Sequence, residues 1–145
     1  MIGPSWRPLA GGYAHSVTLT ARTLLAVSAG GAVGSLLRWF VDVLMPGAWG
    51  TLPWGTLLVN VLGSALLGVV VEVLDRGGGS GVLGAFLTTG VLGGFTTFST
   101  YAVQVALLGG ADPAVALTYF VVTPLLCVAA AGLATTWVRR ARGAA

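Results

Sequence analysis

Three long stretches of this chain carry no charged residue: 43–71, 77–111 and 113–138. A fourth apolar stretch, 24–45, is interrupted by Arg38 and Asp42 alone. A helix that crosses a bilayer needs about 20 mostly apolar residues. The pattern therefore predicts four transmembrane helices, at about 24–45, 54–74, 82–108 and 114–138, in one compact domain covering 22–140. Glycine and proline mark the connections: Pro46-Gly47, the run 77–81 and the run 109–113. Residues 1–21 are mixed in character and are expected to form a disordered tail, with His15 solvated in it; 141–145 form a short C-terminal tail.

The polar positions inside these spans are patterned too. In the second span Thr56, Asn60, Ser64 and Gly68 recur at i+4, which lines one helical face with polar and small groups. In the fourth, Tyr119, Thr123, Cys127, Ala131 and Thr135 recur in the same way, and Pro124 interrupts the turn. Gly30 and Gly34 in the first span form a small-xxx-small pair that permits close helix approach. The third span is unlike the others. Its centre reads Gly93-Gly94-Phe95-Thr96-Thr97-Phe98-Ser99-Thr100-Tyr101. Glycine costs roughly 1 kcal/mol relative to alanine in a helix interior. A break there frees backbone groups at membrane depth, which survives only where protein or a polar cavity covers it. This stretch is expected to be the site, with the third helix broken across it.

Composition agrees with a membrane protein: 56% of residues are hydrophobic, 8% are charged and mean hydropathy is +0.94. The net charge of +3 is no signal for nucleic acid, because the arginines gather at predicted helix ends. With four crossings, Arg7, Arg22, Arg76, Arg139, Arg140 and Arg142 fall on one side, and the opposite loops hold no lysine or arginine. The positive-inside rule then places both termini in the cytoplasm. A single cysteine, Cys127, excludes an intrachain disulfide and a cysteine metal cluster. No nucleophile–base pair or metal constellation argues for an enzyme.

Several side chains are candidates for chemistry. Arg38 lies inside the first span, at a depth where insertion costs about 2.5–3.5 kcal/mol unless it faces protein or water. It is either an anchor paired with Asp42 at i+4 or a fixed positive charge that draws anions to a vestibule. Asn60 is either a packing amide or a pathway donor, since a primary amide offers two N–H groups. Phe98 and Tyr101, at i and i+3, share a face with Thr97, Thr100 and Gln104 nearby. Aromatic rings have positive edges, so the pair is either ordinary packing or part of a path for a small anion.

The motifs GGAVGSLLRW (30–39), GTLLVNVLGSALLG (55–68) and GVLGGFTTFSTY (90–101), in this order on four short spans, resemble the Fluc (CrcB-type) fluoride channel family. The resemblance implies an all-α membrane protein that works as an antiparallel, inverted dimer in the cell membrane and exports fluoride passively, reducing its toxicity. It implies a structural Na+ at the dimer centre, held by the backbone carbonyls of Gly93 and Thr96. It puts Asn60, Phe98, Tyr101, Tyr119 and Thr123 on the fluoride pathway, with Ser64, Thr97 and Gln104 beside them, and Arg38 at the vestibule. The chain departs from the family pattern at Tyr101, where the second phenylalanine stands, and at Gln104, where many members carry glutamate. Cys127 and Ala131 occupy helix 4 positions that are usually hydroxylic. Those departures and the one-sided arginines raise the expectation of an obligate pair with a paralogous, oppositely oriented subunit, beside the plain homodimer. The competing functional class is a small multidrug-type proton-coupled antiporter, which needs a membrane-embedded carboxylate; a membrane protein without transport is the third.

Overall fold

The computed structural model describes residues 20–47, 51–76 and 81–143. Among them every regular element is helical, and four spans are long and apolar enough to cross a membrane. The N-terminal stretch with His15 and most of the glycine run 77–81 lie outside the described residues.

Helix α1 (Ala21–Leu44) opens ahead of the expected position 24 because Thr20 caps it. Thr20 is extended, and its Oγ1 accepts from the Thr23 N–H at 3.3 Å. Helix α2 (Trp54–Arg76) follows Pro53. The third span holds four consecutive pieces. They are α3 (Val82–Ala85), a π-helical segment (Phe86–Leu92), α4 (Gly93–Phe95) and, after Thr96 and Thr97, α5 (Phe98–Ala111). Helix α6 (Pro113–Gly143) starts on Asp112, whose Oδ1 accepts from the Ala114 and Val115 N–H groups at 3.0 and 3.2 Å. It runs past the expected end at 138, carrying Arg140 and Arg142 in its last turn, where cations suit the negative end of the helix dipole.

Inside the third span the glycines and the threonines divide the work differently from the sequence expectation. Gly93 is helical, at φ −65° and ψ −35°. The non-helical residues are Thr96 (φ −78°, ψ 158°) and Thr97 (φ −147°, ψ 124°), β-branched side chains that suit extended backbone. The glycines serve close approach instead. A Cβ on Gly94 would lie 2.5 Å from the Gly31 carbonyl oxygen, and one on Gly90 would lie 2.9 Å from the Gly30 Cα. From the other side, a Cβ on Gly30 would overlap the Phe86 carbonyl oxygen, and one on Gly34 would overlap that of Val91. Helix α1 thus lies backbone-on-backbone against the π-helical segment and α4.

The second half of the bundle is α2 and α5 packed on α6. At Gly68 a Cβ would meet the Ala131 carbonyl oxygen at 2.5 Å and the Thr135 Oγ1 at 3.0 Å, so the two polar-and-small stripes face each other. Tyr101, Leu108, Ala116 and Tyr119 form the buried cluster between α5 and α6. At the arginine-rich end Arg139 Nε donates to Glu72 Oε2 at 2.8 Å and closes the α2–α6 seam. Glu72 is buried there, while the Arg139 side chain is 61% exposed. Most large apolar side chains, among them Leu25, Leu36, Val128 and Leu133, point outward, as a lipid-facing surface requires.

Candidate functional site

The two threonines between α4 and α5 are held by side chains rather than by the helix ladder. Asn60, buried on α2, donates from Nδ2 to the Thr97 carbonyl at 3.0 Å and accepts at Oδ1 from the Thr97 N–H at 2.8 Å. Thr97 Oγ1 accepts from the Thr100 N–H at 3.1 Å and caps α5. Its own hydroxyl hydrogen goes to Thr100 Oγ1 at 3.0 Å. Thr96 bonds back to Leu92, its N–H at 3.0 Å and its Oγ1 at 2.9 Å from the same carbonyl.

These bonds have a consequence for two carbonyls. A continuous helix would send the Thr97 N–H to the Gly93 oxygen and the Thr100 N–H to the Thr96 oxygen. Asn60 takes the first donor and Thr97 Oγ1 the second, so both carbonyls lose their helical partners. Free carbonyl oxygens are the donor set a hard cation takes. Among the described residues no group of three His, Cys, Asp or Glu offers an alternative. The Gly93 and Thr96 carbonyls therefore fit the expected Na+, and Gly93 is exposed.

Beside the threonines is a cavity of about 760 Å³ between α2, the third span and α6. Asn60, Ser64, Thr97, Phe98, Tyr101 and Thr123 all line it, and no charged side chain does. Thr123 is 3% exposed, and its Oγ1 is buried without a hydrogen-bond partner. Phe98 and Tyr101 share the cavity with ring centroids 5.8 Å apart and planes tilted by 48°. Their surroundings differ sharply: Tyr101 is 5% exposed and Phe98 79%.

The other predicted polar residues form a separate relay. Tyr119 donates to Gln104 Oε1 at 3.1 Å, and Gln104 Nε2 donates to Thr56 Oγ1 at 2.8 Å, joining α6, α5 and α2. Gln104 lines a second cavity of about 540 Å³, together with Asp42, Thr56, Ser99 and Thr100. Tyr119 lines neither cavity and is buried. Arg38 is half-buried on α1 and opens on neither. Among the described residues no ion pair joins it to Asp42 at i+4. The sequence reading missed Phe120: the Tyr101 hydroxyl donates to its carbonyl at 2.6 Å. The signal was present in Pro124, four residues on.

Four helices long and apolar enough to cross a membrane, around a mostly apolar cavity that carries a few uncharged polar groups, are the build of a multi-pass membrane protein. The family model for CrcB-like protein, Camphor Resistance (CrcB), matches residues 25–135, and the chain belongs to that family. It is 47% identical over 97 residues to a protein of Thermus thermophilus named fluoride-specific ion channel FluC, covering 66% of this chain and 78% of the relative. A Rhizobium meliloti protein of the same name is 44% identical over 116 residues, covering 77% and 93%. A Nocardia farcinica protein named fluoride-specific ion channel FluC 2 is 41% identical over 124 residues, covering 84% and 89%.

Proposed function

We propose that this chain is a subunit of a fluoride-selective channel that lets fluoride leave the cytoplasm passively and so limits its toxicity. The observation that carries the reading is Thr123, a residue that lines an uncharged cavity and whose buried hydroxyl has no partner. A buried polar group without a partner is destabilising by about 1–3 kcal/mol, so its retention calls for a ligand. Family membership and the names of the relatives support fluoride as that ligand.

The mechanism follows from how tightly fluoride holds water. A small, strongly hydrated anion enters a narrow path only where close donors replace its shell. The Thr123 hydroxyl is one such donor. Asn60 supplies another, because one of its two amide hydrogens goes to Thr97 and the second remains. Ser64 adds a hydroxyl, and the Phe98 and Tyr101 rings present positive edges. Thr97 serves by holding the backbone, since its N–H and its hydroxyl are both engaged. The Tyr119–Gln104–Thr56 relay carries polar groups to the second cavity through Gln104 and Thr56, and Arg38, which opens on neither cavity, contributes as a fixed positive charge acting at a distance on anions.

The working unit in this reading is an inverted dimer. Phe98 and Gly93 are exposed on one chain, and an antiparallel second subunit covers both. The Gly93 and Thr96 carbonyls would hold Na+, which would supply positive charge at that place. Arg22, Arg139, Arg140 and Arg142 at one end support cytoplasmic termini in the cell membrane. That strong bias, with a relative numbered FluC 2, also supports a paralogous partner inserted the opposite way. The antiporter reading has one carboxylate to draw on, Asp42 on the smaller cavity; Glu72 is engaged by Arg139 at the end of the seam, and no carboxylate lines the larger cavity.

The test is fluoride efflux from liposomes holding this chain alone, against a chloride control. Fluoride-selective efflux supports the channel and the homodimer together. Silence that a co-reconstituted paralogue relieves supports the heterodimer, and silence in both overturns the channel reading.

A further inference from the structure

Proline at position 124 leaves a defect in α6 that the third span repairs. Proline has no N–H, so the Phe120 carbonyl loses its i+4 donor, and the proline ring crowds that same carbonyl outward. The Tyr101 hydroxyl meets it at 2.6 Å. The Tyr101 ring also lies nearly parallel to that of Phe120, with centroids 6.4 Å apart and planes within 12°. Tyr101, Phe120 and Pro124 all line the larger cavity.

We propose that Tyr101 is a positioning residue of the anion pathway: its hydroxyl masks the Phe120 carbonyl that Pro124 leaves bare, and this removes a partial negative charge from the cavity wall. The hydroxyl is therefore engaged with α6 and is not a ligand for the passing anion; only the ring edge remains for that. Tyrosine at 101 and proline at 124 form a matched pair. With phenylalanine at 101 the bare oxygen would face the cavity and repel an anion entering it.

The inference rests on the fluoride-channel reading for its transport arm, and its test separates the two. Tyr101→Phe, Pro124→Ala and the double variant are purified and compared by thermal unfolding in detergent and by fluoride efflux from liposomes. Pro124→Ala restores the helical N–H to Phe120. Tyr101→Phe alone is expected to lower the melting temperature and to slow efflux roughly ten-fold, and in the Pro124→Ala background to do neither. Equal losses in both backgrounds, or no loss in either, would overturn the masking role. A coupled melting temperature with uncoupled efflux would confine the bond to stability and overturn the pathway role. If the wild-type chain transports nothing, the channel reading fails by itself, and the melting temperatures still decide whether the bond is made.

Discussion

Asn60 and Thr97 exchange two hydrogen bonds across 37 positions of sequence, amide to carbonyl at 3.0 Å and N–H to amide oxygen at 2.8 Å. The side chain replaces a missing piece of helix ladder, so its removal strands a buried donor and a buried acceptor together. Asn60→Ala should lose about 2–3 kcal/mol in unfolding experiments in detergent. Asn60→Asp keeps the acceptor for the Thr97 N–H but puts a carboxylate in the cavity. It should unfold at a temperature between those of wild type and Asn60→Ala, yet show less fluoride efflux than either. Efflux from Asn60→Asp at the wild-type rate would remove Asn60 from the pathway and leave it a backbone support.

Thr123 separates stability from transport in the opposite direction. Its hydroxyl has no partner, so Thr123→Val removes no hydrogen bond and keeps the shape of the side chain. The variant should be as stable as wild type or more so, by up to about 1 kcal/mol. If the hydroxyl is a fluoride donor, efflux should fall about ten-fold or more, the equivalent of one such contact, and Thr123→Ser should restore most of it. Unchanged efflux in Thr123→Val would take away the observation on which the channel mechanism stands.

The seam between α1 and the third span gives a test of packing alone. A Cβ on Gly34 would overlap the Val91 carbonyl oxygen and sit 2.7 Å from the Phe95 nitrogen, both main-chain atoms that cannot swing aside. Gly34→Ala should therefore destabilise by about 1–3 kcal/mol or more. Gly31 is its control: a Cβ there meets nothing within 4 Å. Gly31→Ala should gain up to about 1 kcal/mol from helix propensity. Equal melting temperatures for the two variants would contradict the backbone contact.

How much of this was legible in the chain depends on the range of the interaction. The four apolar spans could be read from runs of uncharged residues, and the close approach of Gly30 and Gly34 from their spacing, because both are local patterns. The place where the third span leaves helical geometry was read only to within a stretch. The glycine pair points to a break, yet Gly93 is helical and Thr96 and Thr97 are extended. Their geometry depends on Asn60, a residue from another helix that no local pattern ties to them. The same holds for Tyr101 on Phe120 and for Arg139 on Glu72. Each is a partnership between distant positions, and one sequence carries no direct record of it. The sequence offers Gln104 and Tyr119 as members of one polar set with Asn60 and Thr123, whereas the fold joins them to Thr56; Gln104 and Thr56 open on the smaller cavity and Tyr119 on neither.

Orientation in the membrane can be read with two cysteine probes. The start of α1 and the end of α6 carry Arg22, Arg139, Arg140 and Arg142, and the α5–α6 connection carries no basic residue. Gly143 and Gly110 mark these opposite ends, and a side chain at either meets nothing within 4 Å, so both positions accept a substitution without disturbing the fold. In a Cys127→Ser background, Gly110→Cys should react with a membrane-impermeant maleimide in intact cells, and Gly143→Cys only after permeabilisation. That result means that every copy inserts one way. An inverted dimer then needs a different, oppositely inserted partner, and the efflux assay on the isolated chain would have to be repeated with it. Labelling of both variants to about half in intact cells means that the arginines do not decide the topology. The chain then supplies both orientations itself, and a homodimer suffices.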